Sequence, residues 1–180
     1  MFKRTWFSRV VEHAPENLRW CRGYDLALST KNSADYTASF RCGIDRLTGD
    51  LYIADGFRKR IEFPDQRRYI LARMLEERGT EHGIEQALHG LAFIQEFRRD
   101  HRLVSRAFRA IKVSADKFTR ALSWANRAEE GKVVLVRGPW MEDFLEEVSA
   151  FPNSPHDDQV DAVSIAVEML ERRRHTARSF

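Results

Sequence analysis

The stretch Trp20-Cys21-Arg22-Gly23-Tyr24-Asp25-Leu26-Ala27-Leu28-Ser29 carries an aspartate inside a largely apolar run. Apolar sequence on both sides of Asp25 is typical of a strand that is covered on both faces of a sheet. A carboxylate in such a strand is seldom buried unless it is paired or bound to a metal ion. Residues 20–29 therefore predict a central strand. Asp25 is either a functional residue or a carboxylate satisfied by backbone amides or an arginine.

Two further strands are predicted directly after the first one. Residues 36–44 alternate between apolar and polar side chains, and residues 51–60 form another strand-like run after the turn signal Leu47-Thr48-Gly49-Asp50. Three strands joined by short connections indicate an antiparallel meander.

Beyond residue 60, helical and strand-like patterns alternate along the chain. We predict helices over 64–79, around 93–97, and over 115–130, 140–148 and 156–173, with short strands over 83–88, 108–113 and 132–136. The whole pattern predicts a mixed α/β sheet flanked by helices, in a single domain covering residues 1–180. Residues 1–18 are expected to be a lead-in segment that docks onto the core, and residues 174–180 a frayed tail.

Composition limits the class of protein. The 30 Lys and Arg residues exceed the 27 Asp and Glu residues slightly, which permits a polyanionic partner without requiring one. No segment approaches the roughly 18 uninterrupted apolar residues of a membrane-spanning helix, so no membrane partner is expected. Cys21 and Cys42 have neither metal-ligand spacing nor a disulfide framework. We expect them to be reduced thiols in a cytoplasmic protein.

Further carboxylates stand out in two later segments. Glu85 lies on the short apolar stretch Gly83-Ile84-Glu85-Gln86-Ala87, where a surface or structural role is an open alternative. Asp157, Asp158 and Asp161 cluster in the segment 151–162, Phe-Pro-Asn-Ser-Pro-His-Asp-Asp-Gln-Val-Asp-Ala. The carboxylates of this segment would lie at the start of a helix, where the helix dipole alone would also favour an exposed acidic turn.

Spacing separates the roles of these three aspartates. With Ser154 as N-cap and Pro155 at the first helical position, Asp157 would complete a capping box. Asp158 and Asp161 are three residues apart and would share one helix face. Asp161 is harder to explain by capping, so this pair is the stronger candidate for chemistry.

Carboxylates that cluster repel one another unless a cation lies between them. Hard divalent ions such as Mg²⁺ and Mn²⁺ prefer oxygen ligands, and no set of Cys and His residues here competes for zinc. Two such ions can activate a water and stabilise the leaving oxygen in phosphodiester hydrolysis. The acids of the first strand, of a neighbouring strand and of the closing helix therefore predict a metal-dependent hydrolase.

Four stretches carry a resemblance to a known family. They are Arg22-Gly23-Tyr24-Asp25-Leu26-Ala27 with Ala34-Asp35-Tyr36-Thr37, Gly83-Ile84-Glu85-Gln86, Asp116-Lys117-Phe118-Thr119-Arg120-Ala121 with Gly131-Lys132-Val133 and Trp140, and the acidic segment 151–162. In this order they resemble the C-terminal nuclease domain of phage terminase large subunits, over about residues 6–170. That resemblance implies a ribonuclease H-like fold and an endonuclease that cuts double-stranded viral concatemer DNA during genome packaging, with two bound Mg²⁺ or Mn²⁺ ions.

The resemblance also implies roles for particular residues. Asp25, Glu85 and Asp158 would be the core catalytic metal ligands, with Asp161 as a fourth and Asp157 as a further metal contact. Contacts to DNA would come from three basic side chains: Lys117, Arg120 and His156. Besides double-stranded DNA, the expected partners are the terminase ATPase domain, the small terminase subunit and the portal, in the host cytoplasm.

Two departures from the family pattern qualify this interpretation. The chain reads Ala87-Leu88-His89-Gly90-Leu91 where a glycine-rich stretch is expected after the second acid, and it contains no phosphate-binding loop of an ATPase. We therefore expect an excised nuclease domain or a natural split or remnant form. Two alternatives stay open: another ribonuclease H-like nuclease of the resolvase or transposase type, or an inactive domain that binds DNA or a partner through arginines.

Overall fold

The structure, a computed structural model, describes residues 1–27, 36–86, 88–113 and 115–176 of the chain. Within these ranges one sheet has seven strands in the order β1-β7-β4-β3-β2-β5-β6. The strands are β1 Arg9–Val11, β2 Arg19–Asp25, β3 Thr37–Ile44, β4 Leu51–Lys59, β5 Thr80–Glu85, β6 Phe108–Ile111 and β7 Val133–Val136. The pairs β2–β3 and β3–β4 are antiparallel, which confirms the predicted meander, and the other pairs are parallel.

Helices cover both faces of this sheet. They are α1 Phe63–Glu76, α2 Leu88–Phe97, α3 Lys117–Glu129, α4 Met141–Ala150 and α5 Asp158–Thr176, with short 3₁₀ turns at Arg4–Phe7 and His101–Leu103. One hydrophobic cluster packs α3, α4 and α5 onto the sheet, and a second packs α1 and α2 onto it. The predicted α/β class is therefore confirmed. None of the helices within the described ranges has the length and apolar character needed to cross a bilayer.

Helix α5 lies directly on strand β2. A Cβ atom added to Gly23 would stand 2.2 Å from the carbonyl oxygen of Ala162 and 2.8 Å from the amide nitrogen of Ala166. Only glycine permits so close an approach of two backbones. Because side chains alternate along a strand, Asp25 points to the same face as Gly23, toward the first turn of α5.

The first 18 residues, predicted to be a lead-in segment, supply a strand of the sheet and part of the hydrophobic core. Strand β1 pairs in parallel with β7 at the edge of the sheet. Phe2 and Phe7 are buried in the larger hydrophobic cluster. The three residues of β1 are exposed or only half-buried, so their sequence shows no strand periodicity. Cys21 and Cys42 are both buried, are not joined by a disulfide, and lie opposite each other on β2 and β3.

Several element boundaries differ from the prediction. Strand β2 ends at Asp25, and the predicted strand residues Leu28 and Ser29 lie outside the described part of the chain. Strand β5 runs from Thr80 to Glu85, because Leu88 already begins α2. Helix α5 continues to Thr176, into the predicted tail, whose last residues 177–180 are not among those described.

Candidate active site

The register of the sheet brings two of the predicted acids together. Asp25 and Glu85 each follow the last aligned pair of β2 and β5, Tyr24 with Ile84, so the two acids end neighbouring parallel strands. Added Cβ atoms at Gly23 and Gly83 would both meet α5, at Ile165 and Met169 respectively. Since Asp25 and Glu85 lie two residues further along, both point to the α5 face of the sheet.

The first turn of α5 adds the other two acids. Asp158 and Asp161 are buried, with 9% and 3% of their surface exposed. Both carboxylates, and that of Glu85, raise the pKa of Asp25 in addition to the effect of its burial. Four predicted residues, Asp25, Glu85, Asp158 and Asp161, thus form one group, which we call the acid site.

Burial and nearby negative charge raise the pKa of three of these acids. The pKa of Asp25 is raised well above its ordinary value, first by burial and then by Asp161, Glu85 and Asp158. Burial, followed by the charge of Glu147, raises the pKa of Asp158 to about 6. Burial also raises the pKa of Asp161, although Arg120 and Lys117 act in the opposite direction. A cation added to this group would relieve the repulsion.

The two basic residues predicted on α3 face the acid site and pair with it. Lys117 Nζ lies 2.7 Å from Asp157 Oδ1 and 3.2 Å from Asp161 Oδ2. Arg120 Nη2 donates to Asp161 Oδ1 at 2.8 Å. Both oxygens of Asp161 therefore already have a cationic partner. Partial burial lowers the pKa of Lys117, but its contacts with Asp157 and Asp161 outweigh this and raise it.

Asp158, unlike Asp161, has a carboxylate oxygen without a cationic or hydrogen-bonding partner in the described part of the chain. Its Oδ2 atom is buried and has no hydrogen-bond partner among the described residues. An unpaired buried carboxylate oxygen is costly, and such atoms are typical of sites that bind a cation. Asp158 is therefore better placed than Asp161 to accept a metal ion.

The predicted capping box at the start of α5 is wrong. The helix begins at Asp158, so Asp157 precedes its first turn, and Ser154 Oγ instead accepts from the amide of His156 at 3.3 Å. The cap comes from α4: Glu147 Oε1 accepts from the amides of Gln159 at 2.8 Å and Val160 at 3.2 Å. Glu147 lies 12 residues before Gln159, so the spacing of residues at the start of α5 could not predict this cap.

Strand β4 contributes an arginine that the sequence analysis missed. Asp25 is opposite Ala38 on β3, and Ala38 is opposite Arg58 on β4, so Asp25 and Arg58 occupy one row across the sheet. Arg58 lowers the pKa of Asp158, and its Nε atom lies 3.5 Å from Glu147 Oε2. The only signal in the sequence is the basic end of a strand that begins with Leu51-Tyr52-Ile53.

His156, predicted to contact DNA, lies two residues before Asp158. Its ring contacts Tyr36 edge-on, with 5.0 Å between the ring centroids. It is half-buried and belongs to the segment before α5. Of the residues predicted around the second acid, Ala87 and the side chains of Leu88 and His89 lie outside the described part of the structure.

The family model described as the terminase RNaseH-like domain matches residues 22–170. No curated protein matches the chain by sequence.

Solved structures of terminase nucleases share the fold. The large terminase nuclease from thermophilic phage G20c with bound magnesium has a TM-score of 0.62 at 15% identity, covering 92% of this chain and 94% of that one. The nuclease domain of the bacteriophage SPP1 large terminase with bound Mn gives 0.58 at 16% identity, covering 86% of each chain. The human cytomegalovirus terminase nuclease domain gives 0.60 at 14% identity, covering 93% of this chain and 88% of that one.

Proposed function

Because this chain belongs to the family of terminase RNase H-like domains, we propose that it is a metal-dependent endonuclease that cuts double-stranded concatemeric DNA during genome packaging. The observation that carries the proposal is the acid site, where four carboxylates converge on the face of β2 covered by α5. Carboxylates that repel one another in this way destabilise a fold, but they are suited to binding a cation.

The donor set fits a hard divalent cation. All four members of the acid site are carboxylates, and Mg²⁺ and Mn²⁺ prefer oxygen ligands. The unpaired Oδ2 of Asp158 gives such an ion a ligand that the described part of the chain leaves unsatisfied. The G20c and SPP1 nucleases carry magnesium and manganese in their structures, which supports the same class of ion here.

To bind an ion, the acid side chains would have to move closer together. Within the described ranges, no three His, Cys, Asp or Glu side chains are close enough to hold one ion as they stand. Lys117 and Arg120 occupy both oxygens of Asp161 and keep it paired within the protein. We therefore assign Asp25, Glu85 and Asp158 as the residues that would hold the ion, with Asp161 as a fourth and Asp157 as a further contact; both of these are paired with Lys117 in this structure.

The chain's own residues would position the reacting groups. Bound divalent ions, two by analogy with related chemistry, would supply Lewis-acid stabilisation and an activated water. Glu147 fixes the first turn of α5, and with it the position of Asp158. Lys117 and Arg120 lie where cationic side chains can neutralise a phosphate that approaches the acids. His156 would be a further DNA contact.

Family membership also supports a set of partners. A terminase nuclease acts with a packaging ATPase, so we infer that this chain works with a terminase ATPase domain, a small terminase subunit and a portal. The host cytoplasm is the compartment where that DNA is packaged. The ribonuclease H-like domain forms one unit of this machinery, whichever polypeptide carries the ATPase.

Cleavage of supercoiled plasmid tests the proposed function. The purified protein should nick and linearise plasmid with Mn²⁺ or Mg²⁺, and EDTA should stop it. The Asp25→Asn/Asp158→Asn variant should be inactive, whereas Glu129→Gln, which removes an exposed acid at the far end of α3, should cut normally. Absence of cleavage by the intact protein under both metals would overturn the proposal in favour of a DNA-binding or partner-binding domain. Preference for branched DNA would favour a resolvase.

A further inference from the structure

Positive charge is concentrated in one short segment of the chain. Residues 98–112 contain six Arg and Lys residues and one acid, Asp100, whereas the whole chain has a net charge of only +3. The segment begins after α2, continues through a 3₁₀ turn and strand β6, and ends with Lys112. Because β6 is an edge strand, the segment borders one side of the sheet.

Three cations of this segment are available to a partner. Arg98, Arg99 and Lys112 are exposed. Their side chains make no ion pair, hydrogen bond or ring contact with the residues that the structure describes. The other basic residues of the segment already have a partner within the protein: Arg102 pairs with Asp100, Arg109 with Glu81, and Arg106 with the carbonyl oxygen of Leu75.

Acids on the neighbouring elements already have cationic partners of their own. Glu81 on β5, Glu96 on α2 and Asp100 each pair with another arginine. The positive charge of the three exposed side chains is therefore left uncompensated on this side of the protein. Uncompensated surface charge of one sign attracts a partner of the opposite sign.

The segment follows β6 toward the acid site. Arg98 lines the same cleft as Phe108, the first residue of β6. At the other end of the strand, Ile111 is paired with Glu85 of the acid site, and Lys112 comes next. The stretch from Phe108 to Lys112 spans about 13 Å, at about 3.3 Å per residue, which corresponds to about four base-pair steps of DNA.

We propose that Arg98, Arg99 and Lys112 form a phosphate-binding surface along the edge of the sheet, which we call the basic strip and which holds the DNA backbone beside the acid site; this rests on the endonuclease function proposed above. Contacts from Arg and Lys to phosphates position a duplex without reading its sequence. An acidic protein partner fits less well, because the core of a protein interface is apolar. Among residues 98–112 the one large apolar side chain that is exposed is Val104.

Binding of a short fluorescein-labelled DNA duplex, followed by anisotropy in EDTA at several salt concentrations, tests the basic strip. The Arg98→Gln/Arg99→Gln/Lys112→Gln variant should bind about tenfold more weakly at moderate salt. The slope of log affinity against log salt should become shallower by about three, since each phosphate contact contributes about one. Lys112→Gln alone should change the slope by about one, whereas Lys112→Arg, which keeps the charge, should leave it unchanged.

A matched pair of single variants separates the basic strip from general charge. Arg99→Gln and Arg46→Gln each remove one exposed arginine whose side chain has no partner among the described residues. Arg46 lies in the turn between β3 and β4, away from β6. Only Arg99→Gln should weaken binding and change the slope. Equal losses in the two variants, an unchanged affinity in the triple variant, or no measurable binding by the unaltered protein would each overturn the proposal.

Two further outcomes are distinguished by the same variants. If the triple variant loses binding to fluorescein-labelled poly-L-glutamate but not to DNA, the strip serves an acidic protein and the proposal is overturned. The assay is independent of cleavage because EDTA removes divalent ions. A protein that cuts plasmid while the triple variant binds DNA as tightly as the unaltered chain would contradict only the basic strip. A protein that binds DNA through the strip but never cuts would contradict only the endonuclease.

Discussion

Each face of strand β2 carries a buried charged residue, but only one of the two is paired with residues of opposite charge. On the α1 face, Arg22 is fully buried, and its guanidinium donates to Glu77 at 2.9 Å and 2.6 Å, to Asp55 at 2.5 Å and to Ser39 at 3.0 Å. Burial is the largest single influence and works against the charged form of Arg22, but the hydrogen bond with Glu77 and the nearby Tyr24, Tyr69 and Glu77 together outweigh it and raise the pKa.

On the α5 face, three residues along the same strand, Asp25 meets charges of its own sign. Asp161, Glu85 and Asp158 all disfavour its ionised form, and burial disfavours it further. The comparison shows that the two faces of this strand differ in charge balance rather than in burial. Arg22 and its partners stabilise the fold, and the acid site retains an electrostatic cost that a bound cation would relieve.

The largest expected effect comes from removing the charge of Asp25 on the α5 face. Asp25→Asn should lower the rate of metal-dependent cleavage by roughly a thousandfold or more, because a core ligand is lost while the shape of the side chain is kept. Thermal unfolding without metal should show an unchanged or higher midpoint. A variant that unfolds instead, with normal cleavage per folded molecule, would place Asp25 among the structural charges.

Removing the ion pairs of Arg22 on the α1 face should destabilise the protein. Arg22→Met leaves the carboxylate of Glu77 buried without its partner, so the free energy of unfolding should fall by about 3–5 kcal/mol. Urea titration measures this change. Cleavage at low temperature by the folded fraction should persist. Replacing Glu77 by Leu in the Arg22→Met variant should recover part of the lost free energy of unfolding, since it removes the unpaired carboxylate. A loss of activity without a loss of stability would contradict the structural role.

The pH dependence of stability should reveal the buried histidine beside Arg22. Burial, aided by Arg22 and Arg41, lowers the pKa of His82 to about 3, and its Nδ1 atom is 2.8 Å from the hydroxyl of Tyr24. The unfolded chain takes up a proton near pH 6.5 and the folded chain does not, so stability falls as pH drops below that value. Between pH 6.5 and 5 the loss should be about 2 kcal/mol.

His82→Gln should remove this loss. The difference between the two proteins is the quantity to measure, because Asp158 contributes with the opposite sign in part of the same pH range. Parallel pH profiles for the two proteins would show that His82 is not held neutral.

An effect of opposite sign is expected from Asp158, whose folded pKa of about 6 lies above the ordinary value of 3.8. The folded state binds this proton more tightly than the unfolded state does, so ionisation at neutral pH costs stability. Asp158→Asn should therefore raise the melting temperature of the metal-free protein by about 6 °C at pH 7.5, and the gain should shrink toward pH 4. Mn²⁺ should stabilise the unaltered protein but not the variant. A variant that melts lower at pH 7.5 would indicate a structural Asp158.

The fold was predictable because most of its helices and strands show hydrophobic periodicity in the sequence. The meander β2–β3–β4 and the alternation after it follow from runs such as residues 36–44 and 51–60. Strand β1 has three residues and no buried face, so it carried no such signal. Its pairing with β7 depends on a contact across 125 positions of sequence, Arg9 with Val134.

Three acids of the site were predictable because they interrupt apolar sequence, and Asp158 because it clusters with two other aspartates. Asp25 and Asp161 stand out among neighbours such as Leu26 and Val160, and the structure brings both together. Their roles as metal ligands stay predictions. The partners Arg58 and Glu147 were invisible, because a row across strands and a cap from another helix depend on register and packing rather than on spacing along the chain.

Calorimetric titration with Mn²⁺ tests the contrast between the two faces most directly. The account predicts binding by the unaltered protein, its loss in Asp25→Asn/Asp158→Asn, and its retention in Asp55→Asn, which removes a carboxylate from the opposite face. Undiminished binding by Asp25→Asn/Asp158→Asn, or equal loss in Asp55→Asn, would contradict the assignment of the metal site to the α5 face.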